Sequence, residues 1–156
     1  MRLNYIKPFL MAKIKKPKQV KKDTVWKYFS RYIRTRDCIA TTGTLNRGRC
    51  ITCGQVFDFK DLQAGHAIPG RHNSILYDEE LVNAQCKICN GYGGGRYAEY
   101  ASWFVRKYGI DRWDEKTLLS NQGGVKIDNN ATRDYYIEKY NQLLSNFSKK
   151  QYEQQN

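Results

Sequence analysis

Two Cys-x-x-Cys pairs, Cys50/Cys53 and Cys86/Cys89, constrain what this chain can fold into more than any other feature of its sequence. Each pair bends the backbone into a knuckle that points two thiolates at one ion. Two knuckles complete a tetrahedral four-sulfur zinc site. Such a site closes without a water, so the zinc it implies is structural. The first ten residues, MRLNYIKPFL, are too short and too polar for a secretory signal. A cytoplasmic chain in a reducing compartment uses paired cysteines for metal more often than for disulfides. The fifth cysteine, Cys38, has no partner at ligand spacing and reads as a small buried residue beside a helix.

The segment between the knuckles carries both histidines of the chain, His66 and His72, together with Asp58, Asp61 and Asn83. A zinc ribbon that only binds nucleic acid needs no histidine there, whereas a hydrolytic site does. A near-neutral imidazole can take a proton from water. Oxygen side chains can hold a Mg2+ or Mn2+ that polarises a phosphate. Asn90 follows the second knuckle directly. It reads either as a knuckle-closing residue that caps local backbone or as a polar ligand set in place by the zinc.

Charge is distributed unevenly. Residues 1–49 hold 14 Lys/Arg against two acids, and the remainder holds 13 of each sign, so the whole net charge of +12 lies in the first third. Concentrated positive charge suits a polyanion, most simply nucleic acid, through release of counterions from its phosphates. The candidate contacts are Lys15, Lys16, Lys18, Lys21, Lys22, Lys27, Arg31, Arg34 and Arg71. His72 reads equally as a surface residue or as a phosphate contact. No apolar run is long enough for a membrane span.

Residues 1–22, with eight Lys/Arg, no acid and two prolines, read as a disordered basic arm. Asp23 and Thr24 are placed to cap a helix over about 24–37, with Trp26, Phe29 and Ile33 on its apolar face and Lys27, Arg31 and Arg34 largely opposite. TTGTLNRG reads as a loop, and a short strand follows the first knuckle. A second strand-like run ends at Pro69 and Gly70, and ELVNAQ reads as a third. Tyr97–Tyr108 is helical and Gly109 ends it. DRWDEKTLLS forms a short helix, and Thr132 caps a last helix to about Phe147. Residues 149–156 fray. Most of the twelve tyrosines fall on apolar helix faces and read as core, not as base-stacking platforms.

The stretches WKYFSRYIRTRD, CITCG, AGHAIPGR and NAQCKICN, over roughly residues 24–109, resemble the NinG/Rap family of phage recombination proteins. More broadly, the order of Cys-x-x-Cys, Gly-His, Asn and a second knuckle closed by Asn resembles the HNH (ββα-metal) endonucleases and phage recombination endonuclease VII. The resemblance implies an α+β fold: a zinc-pinned ββα-metal core over residues 23–148 with additional N- and C-terminal helices. It implies that His66 activates the attacking water and that Asn90 is a metal ligand. Asn83 would orient the base through its carbonyl. Gly65 stands where relatives often carry an Asp ligand; either Asp61 or Asp58 substitutes from nearby, or the metal is held by fewer protein groups and more water. The glycines after Asn90 argue against a helix starting there.

The function implied is a Mg2+- or Mn2+-dependent phosphodiester hydrolase, a phage DNA endonuclease acting on branched recombination or replication intermediates in the host cytoplasm. An enzyme of that kind often works as a homodimer. The alternative is a non-catalytic zinc-stabilised DNA-binding accessory protein, for which Gly65 is the best argument and against which His66 is the best.

Overall fold

Apolar residues at helical spacing build the first element. In the computed structural model, which describes residues 17–155, α1 spans Lys22–Thr42 and buries Val25, Phe29, Tyr32 and Ile33 on one face. It begins two residues earlier than expected, and neither Asp23 nor Thr24 caps it: Lys21 stands at the cap with no side-chain bond. It also runs five residues past Asp37. Cys38, on its last turns, is fully buried in a second apolar cluster with Leu62, Ala84, Cys50, Cys86 and Cys89, so burial holds the extra turn. Gly43 then stops the helix in the left-handed conformation, φ 69°, which glycine adopts without a Cβ penalty.

Four short strands follow. β1 (Arg47–Arg49) lies inside the expected loop and pairs antiparallel with β2 (Val56–Asp58) around the first knuckle. β3 (Leu62–His66) pairs antiparallel with β4 (Val82–Cys86), with Leu62 opposite Cys86, Gly65 opposite Asn83 and His66 opposite Val82. Alternation divides this hairpin into two faces. Ala64 and Val82 pack with Phe29 and Ile33 of α1. The other face carries amides, Gln63 and Asn83 among them, with Gln85 fully buried.

The second knuckle runs from Cys86, the last residue of β4, into a single π-helical turn, Ile88–Tyr92, that carries Cys89 and Asn90, and α2 (Tyr97–Tyr108) begins only after the glycines. Asn90 therefore sits in a helical turn and not at the start of α2. α3 is Ile110–Ser120 and α4 is Asn129–Gln155. Tyr100 and Phe104 of α2 are buried with Ile75 and Leu81 in the third apolar cluster. The acidic run before β4 ties the helices on: Asp78 and Glu80 grip the buried Lys116 of α3, and Glu79 pairs with Lys139 of α4.

α4 differs from expectation at both ends. Its cap is Asp128, whose carboxylate accepts from the N–H groups of Asn130 and Ala131 at 3.0 and 3.1 Å; Thr132 lies inside the first turn. The helix continues past Phe147 to Gln155, through most of the stretch expected to fray. The end of the basic arm is also tied down, because Val20 exchanges hydrogen bonds with Asn129 and Asn130 at 2.9 Å each. The architecture is α+β, helices around two small hairpins. Among the described residues no helix is long and apolar enough to cross a membrane.

Candidate functional site

The knuckles meet at the Leu62–Cys86 end of the β3–β4 hairpin. The sulfurs of Cys50, Cys53, Cys86 and Cys89 all lie within 4.8 Å of one another. A regular tetrahedron with Zn–S bonds of about 2.3 Å has sulfurs about 3.8 Å apart, so the four fit one zinc ion. Cys53 is exposed and the other three are buried. Burial raises the Cys50 thiol, yet hydrogen bonds from the Cys53, Cys86 and Thr52 backbones and the Thr52 hydroxyl outweigh it and hold the thiol at about 6. Burial and the neighbouring sulfurs push Cys86 up to about 12. A zinc ion resolves this imbalance by taking all four as thiolates. Cys38 stands apart from the cluster and is buried as expected, with its thiol pushed up to about 11 by burial and by Asp37.

Beside the exposed edge of β3 runs a groove of about 540 Å³, lined by His66, Gln63, Asn90, Trp26 and Tyr97. Four cations also line it, Arg34, Lys60, Arg71 and Lys87, and no carboxylate does. His66 is nearly buried, and its Nε2 lies 3.1 Å from the Leu76 carbonyl oxygen. A carbonyl only accepts, so Nε2 carries the proton and Nδ1 keeps its lone pair. The Trp26 ring stacks on the imidazole, 15° from parallel at 5.2 Å, and the Arg71 guanidinium lies 4.3 Å over Trp26. Burial lowers the imidazole pKa below its ordinary value; the Leu76 carbonyl opposes this and Arg71 adds to it.

Asn90 lies across the groove from α1. Its Nδ2 donates to Gln63 Oε1 at 2.8 Å, which turns Oδ1 toward the backbone of Gly65. A Cβ at Gly65 would meet Gln85 Oε1 at 2.2 Å and Asn90 Oδ1 at 3.0 Å. With Gln85 in this position no side chain fits there, carboxylate or otherwise. The glycine lets the amide of Gln85 fill the space, with its Nε2 donating to the Gly95 carbonyl at 2.8 Å.

Several expected residues lie elsewhere. Asn83 does not reach His66: its Nδ2 donates to Tyr100 Oη and the Glu80 carbonyl, and its Oδ1 accepts from Arg36 at 3.0 Å. Strand pairing places it opposite Gly65, and the carbonyl bonded to His66 belongs to Leu76. Asp61 is paired with Lys87 at 3.0 Å and is absent from the groove lining. Asp58 faces Arg47 on the other hairpin. His72 is exposed and folds back over Gly70, outside the groove. Of the expected basic contacts, Arg34 and Arg71 line the groove; Arg31 covers Tyr140 instead. Lys18, Lys21, Lys22 and Lys27 are exposed around the start of α1, and Lys15 and Lys16 lie outside the described residues.

Three contributors were not singled out from the sequence: Lys60, Lys87 and the carbonyl of Leu76. Lys60 lies between Asp58 and Asp61 and Lys87 between two cysteines, so neither belongs to a basic run, and a backbone carbonyl leaves no compositional signal. The groove offers a metal ion neutral donors and no carboxylate: the amide oxygens of Gln63 and Asn90, the Ser30 hydroxyl and the His66 imidazole. A protein-held Mg2+ usually takes one or two carboxylates, so these residues do not form such a cage by themselves.

No curated protein and no solved structure matches the chain. The family model described as the bacteriophage lambda NinG protein matches residues 9–151, nearly the whole length, and the chain belongs to that family.

Proposed function

We propose that this chain is an HNH-type DNA endonuclease acting on branched intermediates of phage recombination or replication. The observation that carries the reading is His66: a neutral, buried imidazole with Nε2 tied to a carbonyl, set in the wall of a groove lined by four cations and no acid. The order of parts supports it further. A hairpin ends one strand on His66, and a helical turn after the second strand carries Asn90. The family membership supports the recombination context.

In this reading a phosphodiester lies in the groove with its oxygens against Arg71, Arg34, Lys60 and Lys87. Nδ1 of His66 takes a proton from water, the hydroxide attacks phosphorus in line, and the 3′ oxygen leaves. Arginine and lysine neutralise the charge that builds on the pentacovalent phosphorus. A Mg2+ or Mn2+ ion, when bound with the DNA phosphate and its own water, supplies further neutralisation of the leaving oxygen. The zinc carries no step; it fixes the turn that presents Asn90.

The absence of a carboxylate from the groove favours a second reading, a zinc-stabilised DNA-binding accessory protein without catalysis. One assay separates them. Labelled linear duplex and four-way junction DNA are incubated with Mg2+, Mn2+ or no added divalent ion, with His66→Ala in parallel. Cutting that His66→Ala abolishes supports the nuclease. Tight binding with no cutting in any metal supports the accessory protein.

A further inference from the structure

Residues 88–97 expose more apolar surface than their composition requires. Tyr92 is 94% exposed, Ile88 59% and Tyr97 41%, although most of the other tyrosines pack against neighbours. Tyr97 lines the groove and lies against Gly95. Tyr92 does neither: among the described residues its ring has no aromatic or cationic partner. The segment is nonetheless held firmly. The Gly93 N–H donates to the Ile88 carbonyl at 2.6 Å, and the Gly95 N–H donates to that of Cys89, a knuckle cysteine, at 3.0 Å. Tyr92 therefore projects from a turn fixed by the sulfur cluster, two residues beyond Asn90 at the groove wall. Lys87 and Arg96, both exposed, flank the turn.

We propose that Tyr92, with Ile88 beside it, is a base-stacking wedge. It takes the exposed face of an unpaired or strand-end DNA base whose backbone lies in the groove. The proposal rests on the groove's holding DNA, as argued above, and adds how the protein distinguishes branched from continuous DNA. Charge complementarity argues for the occupant: the adjoining groove presents four cations and no acid to a strand of phosphates. In a continuous duplex both faces of every internal base are covered by neighbours, so the ring has nothing to stack on. At a gap, flap or open junction a base face is free, and an aromatic side chain on a rigid turn covers it with little loss of freedom.

The test is binding of the full-length protein, without added divalent ion, to two fluorescent DNAs of equal end-to-end length: a continuous duplex and one carrying a single-stranded gap, with each variant compared with the parent on the same DNA. Tyr92→Ala is expected to weaken gapped DNA roughly 5- to 150-fold while changing duplex binding by less than about twofold, and Tyr92→Phe to behave as the parent. Arg71→Ala serves as the control for the groove and should weaken both DNAs. Equal loss on both DNAs in Tyr92→Ala, or no loss on either while Arg71→Ala still weakens both, overturns the wedge and leaves the groove reading standing. Unchanged binding in both variants overturns the groove reading and the wedge with it. Self-association abolished in Tyr92→Ala with DNA binding intact assigns the turn to a second copy and also overturns the proposal.

Discussion

The two ends of the β3–β4 hairpin are built on opposite electrostatic terms. At the Cys86 end, four sulfurs within 4.8 Å of each other form a set that one zinc ion could satisfy. Three of the four are buried, and nothing there is left for a substrate. Along the β3 edge to the His66 end, cations face a groove with no carboxylate to match them, and an imidazole keeps a lone pair free. The first arrangement lowers the energy of the folded chain. The second leaves Arg34, Lys60 and Arg71 without a carboxylate partner among the described residues, Lys87 alone being held by Asp61, an excess of charge that a polyanion can match. Stability and binding are thus separated by four residues along one strand, roughly 13 Å.

If that separation is real, damage to each end should read out differently. The largest effect is expected from Cys86→Ser, or from stripping zinc. Binding of a structural zinc is worth about 10–16 kcal/mol in small metal domains, so the fold should be lost. Circular dichroism together with zinc analysis checks this, and a native spectrum at zero zinc would merge the two ends into one. His66→Ala should leave the spectrum unchanged while lowering cleavage by about 10²- to 10⁴-fold, the usual worth of a general base. Single-turnover cleavage alongside binding distinguishes a missing base from weakened affinity.

Gly65→Ala probes the middle of the strand. The added Cβ meets Gln85 Oε1 at 2.2 Å in a closed space, and overpacking of this kind costs about 1–3 kcal/mol. Urea denaturation should show the loss, and adding Gln85→Ser should recover part of it, since residues in contact do not act additively. A fully additive double variant would mean that the two residues do not share the space.

The pH dependence is subtler. His66 titrates below the ordinary imidazole value, and only its neutral ring accepts a proton. The rate should therefore rise with pH through the folded-state pKa and level off above about 6.5. Arg71→Ala removes a cation that holds the value down, so the midpoint should move up. Stability follows the same sign: the unfolded chain takes up this proton at higher pH than the folded chain. The His66 contribution is thus complete above the ordinary value and is lost as pH falls through the folded one. The smallest effect is expected from Lys60→Ala. If Lys60 neutralises one phosphate, the slope of log affinity against log salt should shrink by about 0.9, with no change in melting.

How much of this was legible in advance depends on the range of the interaction. Cysteine pairs two residues apart announce a knuckle, because the geometry is local. The apolar faces of α1 and α2 were equally readable from their 3.6-residue period. Helix ends were not: α1 runs past Asp37 because Cys38 finds a pocket between β1 and β3, and α4 starts on Asp128 and not on Thr132. The candidate base was picked out by its place between the knuckles. Its expected partner is another matter: the resemblance suggested Asn83, although the usual spacing falls on Leu81, whereas strand register gives Asn83 to Tyr100 and Arg36.

The sequence by itself determined that two knuckles would bring four sulfurs together, that amphipathic helices would flank the knuckle region, and that His66 would lie in the segment between the knuckles. Each of these follows from residue type and from spacings within a few turns of chain. Only the tertiary structure decided that Leu76 supplies the carbonyl for His66, that Gln85 fills the space a ligand at position 65 would need, that Asp61 is paired to Lys87, and that Tyr92 faces solvent. Those contacts join residues whose separation in sequence says nothing of their separation in space, and strand register and helix packing set them.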